Sequence, residues 1–307
     1  MNKKSIIVPV LIAVVAAAWY MLSFRDSKQD IDEADDGKLR VAASFYPLYF
    51  LADKIGGERV EAVNMTPAGA EPHDYELSPK DVALVEKSSL LILCGGNLEA
   101  WGEDVAGGRS DGSIVYACEG LMAGTTEEGG VISADPHVWL SPALYSKMAE
   151  KIAISLESID PDGTVYYRAN LAALEAELSD LDSDFRDGTG NCARKEIVTS
   201  HEAFGYLAAA YGFEQVSIAG LSPDAEPSPR QLAEVAEFAR ANDVKYIFFE
   251  SLISPELAET IAEEVGAATL VLNPLEGLSE EEAEAGRDYI SEMESNLANL
   301  RLALECD

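Results

Sequence analysis

At 307 residues the chain exceeds what one core usually covers and has the length for two domains, with 48% apolar residues to fill them. Its 55 acidic and 22 basic residues leave a formal charge of −33, which excludes nucleic acid and anionic lipid surfaces as partners and favours cationic ligands. Histidine occurs three times, as His73, His137 and His201, each within two residues of an acid and the first two directly after a proline.

Along the chain, Lys3 and Lys4 precede a charge-free apolar run at 6–24, which as a helix would span about 28 Å, close to the hydrocarbon thickness of a bilayer. Residues 1–24 are expected to be a signal peptide or membrane anchor: uncleaved with the two lysines inside, or cut at Ala16-Ala17-Ala18. The first cysteine is Cys94, so lipid attachment at an N-terminal cysteine is not expected. Residues 25–38 are polar and acidic, the composition of a solvated tether. The remainder is expected to work extracytoplasmically, at the cell surface or in the periplasm.

Beyond the tether, short apolar runs alternate with amphipathic stretches, the pattern of βαβ units and parallel sheets. An N-terminal α/β metal-binding domain is expected over 39–159, with strands at 40–43, 60–64, 90–94 and 114–117. A C-terminal one is expected over 188–307, with strands at 195–199, 215–218, 245–250 and 269–272. Between them, Asp160-Pro161 opens a helix in which Tyr166, Asn170, Leu174, Leu178, Leu181 and Phe185 recur at three- and four-residue steps. This linking helix lies within 160–187, and about 25 helical residues would run for about 37 Å, long enough to brace both domains. Acidic runs such as Glu280-Glu281-Glu282 read as hydrated helical faces. Four cysteines outside the cytoplasm permit two disulfides in three pairings. Pairing within domains is favoured, Cys94 with Cys118 at the ends of adjacent strands and Cys192 with Cys306.

Ligands of parallel sheets sit beyond the carboxyl ends of the strands. His73 follows the 60–64 strand across a loop, His201 comes directly after 195–199, and His137 lies in the loop before the helix that opens at Ser141-Pro142. Imidazole nitrogens are the commonest protein ligands for borderline metals. Three neutral imidazoles leave one tetrahedral position and the cation's charge unmet, and a carboxylate supplies both. Glu276, just past the 269–272 strand on the rim that carries His201, is the candidate, with a helix-approach acid as its plainer reading. Trp139, Tyr75, Phe204 and Tyr206 are expected to wall the site, and the two phenols offer a hydrogen bond behind it. Asp74, Glu202 or Glu250 is placed to accept a distal imidazole N–H.

From about residue 39 onward the chain resembles the zinc and manganese substrate-binding proteins of ABC transporters, the cluster A-I family that includes zinc-uptake proteins and streptococcal adhesin-type lipoproteins. The resemblance rests on ASFYPLYFLADKIGG, PHDYELSPKDV, DPHVWLSP, YYRANL, SHEAFGYLAAAYG and LNPLEGL, in that order. It implies two pseudo-symmetric α/β domains with mainly parallel sheets joined by one long rigid helix. It also implies a metal held between them by His73, His137, His201 and Glu276. Histidine at position 201 matches the zinc-type members, and nitrogen ligands favour Zn²⁺ over Mn²⁺. The implied partners are an ABC permease and its ATPase, with the receptor a monomer. Two features depart from the family: 122–134 carries no histidine where many zinc members have a His-rich loop, and the lipobox cysteine is absent. A manganese-binding homologue, a metal-dependent adhesin and a zinc hydrolase are the alternatives. The hydrolase would need an open metal position and a nearby general base, and no HExxH motif is present.

Overall fold

The computed structural model describes residues 37–307 except 97, 110–112, 124, 129–130 and 224–225; the expected signal peptide or membrane anchor and most of the expected tether, 1–36, lie outside the described residues. Two four-stranded, all-parallel sheets form the frame. The first contains β1 (Leu39–Ala43), β2 (Val60–Asn64), β3 (Leu90–Leu93) and β4 (Ser113–Tyr116) in the order β2-β1-β3-β4. After an antiparallel hairpin, β5 (Thr125–Glu128) with β6 (Val131–Ala134), the second sheet contains β7 (Glu196–Thr199), β8 (Glu214–Ser217), β9 (Tyr246–Phe249) and β10 (Ala268–Val271). Its order is β10-β9-β7-β8. Read from its β8 edge, the second sheet repeats the order of the first, so the two are topological copies. All eight expected strands are present, each end within one residue of its expected place. The clearest was β3, because strands of a parallel sheet covered on both faces are near-continuous apolar runs, here the fully buried Leu-Leu-Ile-Leu.

Helices cover the sheets: α1 (Tyr46–Gly56), α2 (Pro79–Lys87), α3 (Gly102–Gly108), α4 (Pro142–Ile159), α5 (Thr164–Thr189), α6 (Gly205–Tyr211), α7 (Pro229–Ala241), α8 (Glu256–Val265), α9 (Glu280–Glu284) and α10 (Tyr289–Ala303). Several starts are fixed by side chains that occupy otherwise unpaired N–H groups. Ser78, Ser228, Ser279 and Asp288 each form a capping box with the residue three positions on.

The linking helix begins later than its sequence suggests. Asp160 is non-helical, Pro161–Gly163 forms a 3-10 turn, and α5 proper starts at Thr164. Asp160 is held there by Arg59 Nε at 2.8 Å and Tyr167 Oη at 2.7 Å. Those bonds also explain why Tyr167 rather than Tyr166 begins the buried stripe, which continues through Leu174, Leu178, Leu181 and Phe185. The helix packs against α1 and α4 from the first half of the chain and α10 and α6 from the second. Its buried face belongs to an apolar cluster running from Val41 to Leu304, so residues 39–307 form one compact unit. Cys94–Cys118 and Cys192–Cys306 are both disulfides, as expected. Among the described residues no helix is long and apolar enough to cross a membrane.

Candidate metal centre

His73, His137, His201 and Glu276 arrive from four loops, and one ligand atom from each lies within 4.8 Å of all the others. Glu276 Oε1 is the hub. It stands 3.2 Å from His73 Nε2, 2.9 Å from His137 Nε2 and 3.4 Å from His201 Nε2. The His137 and His201 Nε2 atoms are 3.4 Å apart. The side chains of His137, His201 and Glu276 are wholly buried, and His73, at 11% exposure, is the most accessible of the four.

Carboxylates behind two of the rings set their orientation. His137 Nδ1 is 2.8 Å from Asp135 Oδ1, and His201 Nδ1 is 2.7 Å from Glu250 Oε1. An Nδ1–H donated to each acid leaves the Nε2 lone pair pointing inward, the arrangement found behind most metal-binding imidazoles. The backbone at His201 is fixed as well: its carbonyl accepts from Thr199 Oγ1 at 2.8 Å and Gln215 Nε2 at 2.9 Å. Glu276 is carried on a constrained turn. Leu275 has a left-handed φ of 57°, a conformation that costs a non-glycine residue roughly 1–2 kcal/mol. Its N–H donates to Asn273 Oδ1 at 2.8 Å, Asn273 N–H donates to Asn296 Oδ1 at 2.8 Å, and Trp139 Nε1 donates to the Pro274 carbonyl at 2.8 Å. Buried surroundings thus hold the strain that presents the carboxylate.

The charges at the centre are arranged for a cation. Burial pushes the Glu276 carboxyl up, but the His201 charge and hydrogen bonds from His137 and His201 outweigh it and hold the group well below the usual carboxylate range. Burial pulls His201 down, and the charges of Glu250 and Glu276 reverse this to leave it well above the ordinary imidazole value. For His137 burial again opposes, and hydrogen bonds to Asp135 and Glu276 carry the net shift upward. Glu276 Oε2 and Glu71 Oε2 are buried without a hydrogen-bond partner. The orphaned Glu276 oxygen, on a carboxylate beside three imidazole nitrogens, is what a divalent cation satisfies.

Of the three acids expected to orient a histidine, Glu250 does so. Asp74 is exposed, and Glu202 is half-buried with its N–H on the Gly220 carbonyl. Trp139 lies 5.1 Å from the His137 ring, centroid to centroid, and Phe204 is fully buried. Tyr206 bonds to the Asp135 carbonyl, while the Tyr75 hydroxyl is committed to Asp81 at 3.0 Å. Asp135 and Glu71 were missed by the sequence reading. Both belong to acid-Pro-His triplets, Glu71-Pro72-His73 and Asp135-Pro136-His137. In each the carboxylate turns back to the histidine N–H, at 3.3 Å and 3.0 Å. That repeated spacing was the available signal. The shorter aspartate also reaches its ring nitrogen.

The profile of a family described as zinc-uptake complex component A, periplasmic, matches residues 41–303. The high-affinity zinc uptake system protein ZnuA of Bacillus subtilis is 38% identical over 95% of this chain and 96% of its own length. The zinc-binding lipoprotein AdcA of Streptococcus pneumoniae is 39% identical over 87% of the chain, which spans 56% of that longer protein. Among solved structures, the Zn(II)-bound ZnuA-like domain of S. pneumoniae AdcA superposes with a TM-score of 0.76 at 38% identity, over 88% of this chain and 100% of that one. The laminin-binding protein Lmb of Streptococcus agalactiae, described as having adhesin and metal-transporting activity, gives 0.79 at 31% identity over 87% and 99%.

Proposed function

The chain belongs to the periplasmic zinc-uptake component A family, and from that premise we propose that it is the extracytoplasmic receptor of an ABC importer, taking up Zn²⁺ and delivering it to a membrane permease driven by an ATPase. His73, His137, His201 and Glu276 are the proposed ligands. The observation that carries this reading is the convergence of three Nε2 atoms on one buried carboxylate whose second oxygen lacks a partner. Three nitrogens and one oxygen suit tetrahedral zinc and disfavour manganese, which prefers oxygen-rich sites. With Glu276 in the fourth position no site is left for an activated water, so the protein is proposed to be a carrier and not a hydrolase. We further propose a monomer of two lobes, 39–159 and 188–307, braced by 160–187, and held at the membrane by residues 1–24. The cation would pass on the side of His73, the least buried ligand.

Metal analysis of protein purified without added metal, together with cobalt substitution, tests the ligand set. Stoichiometric zinc and the intense visible bands of tetrahedral cobalt are expected. A six-coordinate cobalt spectrum, or failure to bind zinc on titration, would remove the closed-site reading.

Release is expected to proceed by loop motion. From Val165 through Asp187 helix α5 has neither Gly nor Pro at which to kink, and it packs on elements from both halves of the chain. Small-angle scattering should therefore give nearly the same radius of gyration with and without zinc. A large change would show that the helix is not a rigid strut.

A further inference from the structure

We propose that Tyr206 is a positioning residue for the cation site, acting through Asp135, and that the same contact ties the feet of the β5–β6 hairpin to cation occupancy. The proposal rests on the reading above that His137 is a ligand. Tyr206, in the first turn of α6, sends its hydroxyl across to the other half of the chain. There it accepts from the Ala123 N–H at 2.8 Å and faces two carbonyls, Asp135 at 2.9 Å and Ala123 at 3.1 Å. Ala123 precedes β5 and Asp135 follows β6. One phenol therefore fixes both feet of the hairpin.

Asp135 is consequently held from three sides. Its carbonyl faces the Tyr206 hydroxyl, and its Oδ1 accepts from His137 N–H at 3.0 Å and sits 2.8 Å from Nδ1. Its Oδ2 lies so close to Gly205 that a Cβ added there would stand 3.1 Å away. A glycine at that position lets the start of α6 approach the acid. A cation on His137 Nε2 makes the Nδ1–H a better donor, tightening the bond to Asp135 and fixing its backbone. The hydroxyl carries one proton for two carbonyls, so its hold on the hairpin feet depends on Asp135 staying in place. Because coupling between binding and position is reciprocal, loosening the phenol must weaken the cation site.

Tyr206→Phe keeps the ring and removes the hydroxyl. With zinc alone titrated against a competing chelator, the variant should bind about 3–10-fold more weakly, mostly through faster dissociation. Asp135→Asn should lose about 10–100-fold, and in that background Tyr206→Phe should add less than about 2-fold, since the route is already cut. Full affinity in Tyr206→Phe, or the same loss in both backgrounds, would overturn the proposal. Wild-type protein supplies a check that no variant's folding can obscure: Ala123 N–H should exchange more slowly with zinc bound, and equal exchange also overturns it. His137→Ala separates the two levels. If it binds zinc like wild type the ligand reading fails, whereas loss there with none in Tyr206→Phe discards only the positioning role.

Discussion

His201→Ala should weaken zinc binding on the order of 10²–10⁴-fold, and His137→Ala similarly, because each removes a nitrogen donor from a site for which the chain has no spare histidine. The geometry adds a second cost. Removing the His201 ring leaves Glu250, 3% exposed, without the Nδ1 partner it contacts at 2.7 Å, and a buried charge without its partner is costly. The His201 variant should therefore also melt at a lower temperature in the zinc-free state. Glu276→Ala should retain more affinity than either, since water can enter the vacated position and complete the tetrahedron as it does in catalytic zinc sites. Competition with a chelator of known affinity ranks the three variants. Wild-type affinity in either histidine variant would discard the ligand assignment.

The parts of this molecule legible in sequence are those whose physics is local. Buried parallel strands announce themselves as apolar runs, which is why the fully buried β3 was placed within one residue of its observed bounds. Scarcity drew attention to the histidines. The hairpin at 125–134 escaped because Thr-Thr-Glu-Glu and Val-Ile-Ser-Ala do not alternate cleanly, and only Gly129-Gly130 between them hinted at a turn. Glu276 could be proposed from its position past a strand, but its mounting could not. The left-handed Leu275, the Asn273–Asn296 pair and the Trp139 bond to Pro274 join positions far apart in the chain. Choosing Glu250 from three nearby acids likewise required knowing that β9 lies beside β7, so that the ends of both strands meet. Asp135 was the opposite case, a local contact two residues from its histidine that was overlooked.

Acid should discharge the metal without unfolding the protein. Zinc requires neutral imidazoles, so protons compete for His137 and His201, both of whose values lie above the ordinary ~6.5 in the metal-free fold. Apparent affinity should therefore begin to fall at a higher pH than a free imidazole would suggest. Below both values it should drop by up to about 10²-fold per pH unit, two protons replacing one cation. The fold responds differently. A histidine raised in the folded state contributes stability fully present below its unfolded value and lost as pH rises through its folded one. Glu276, held low, contributes stability present above its unfolded value, ~4.3, and lost only as pH falls through its folded one. Between about 4.5 and 6.5 both contributions are in place, and protonated histidines around an ionised Glu276 substitute for the cation's charge. Zinc affinity measured by chelator competition from pH 8 to 5 should fall steeply, while circular dichroism of the metal-free protein stays unchanged across the lower part of that range. An affinity that stays flat from neutrality to about pH 4.5 would point to carboxylate ligands in place of the histidines, because only carboxylates keep their charge that far down.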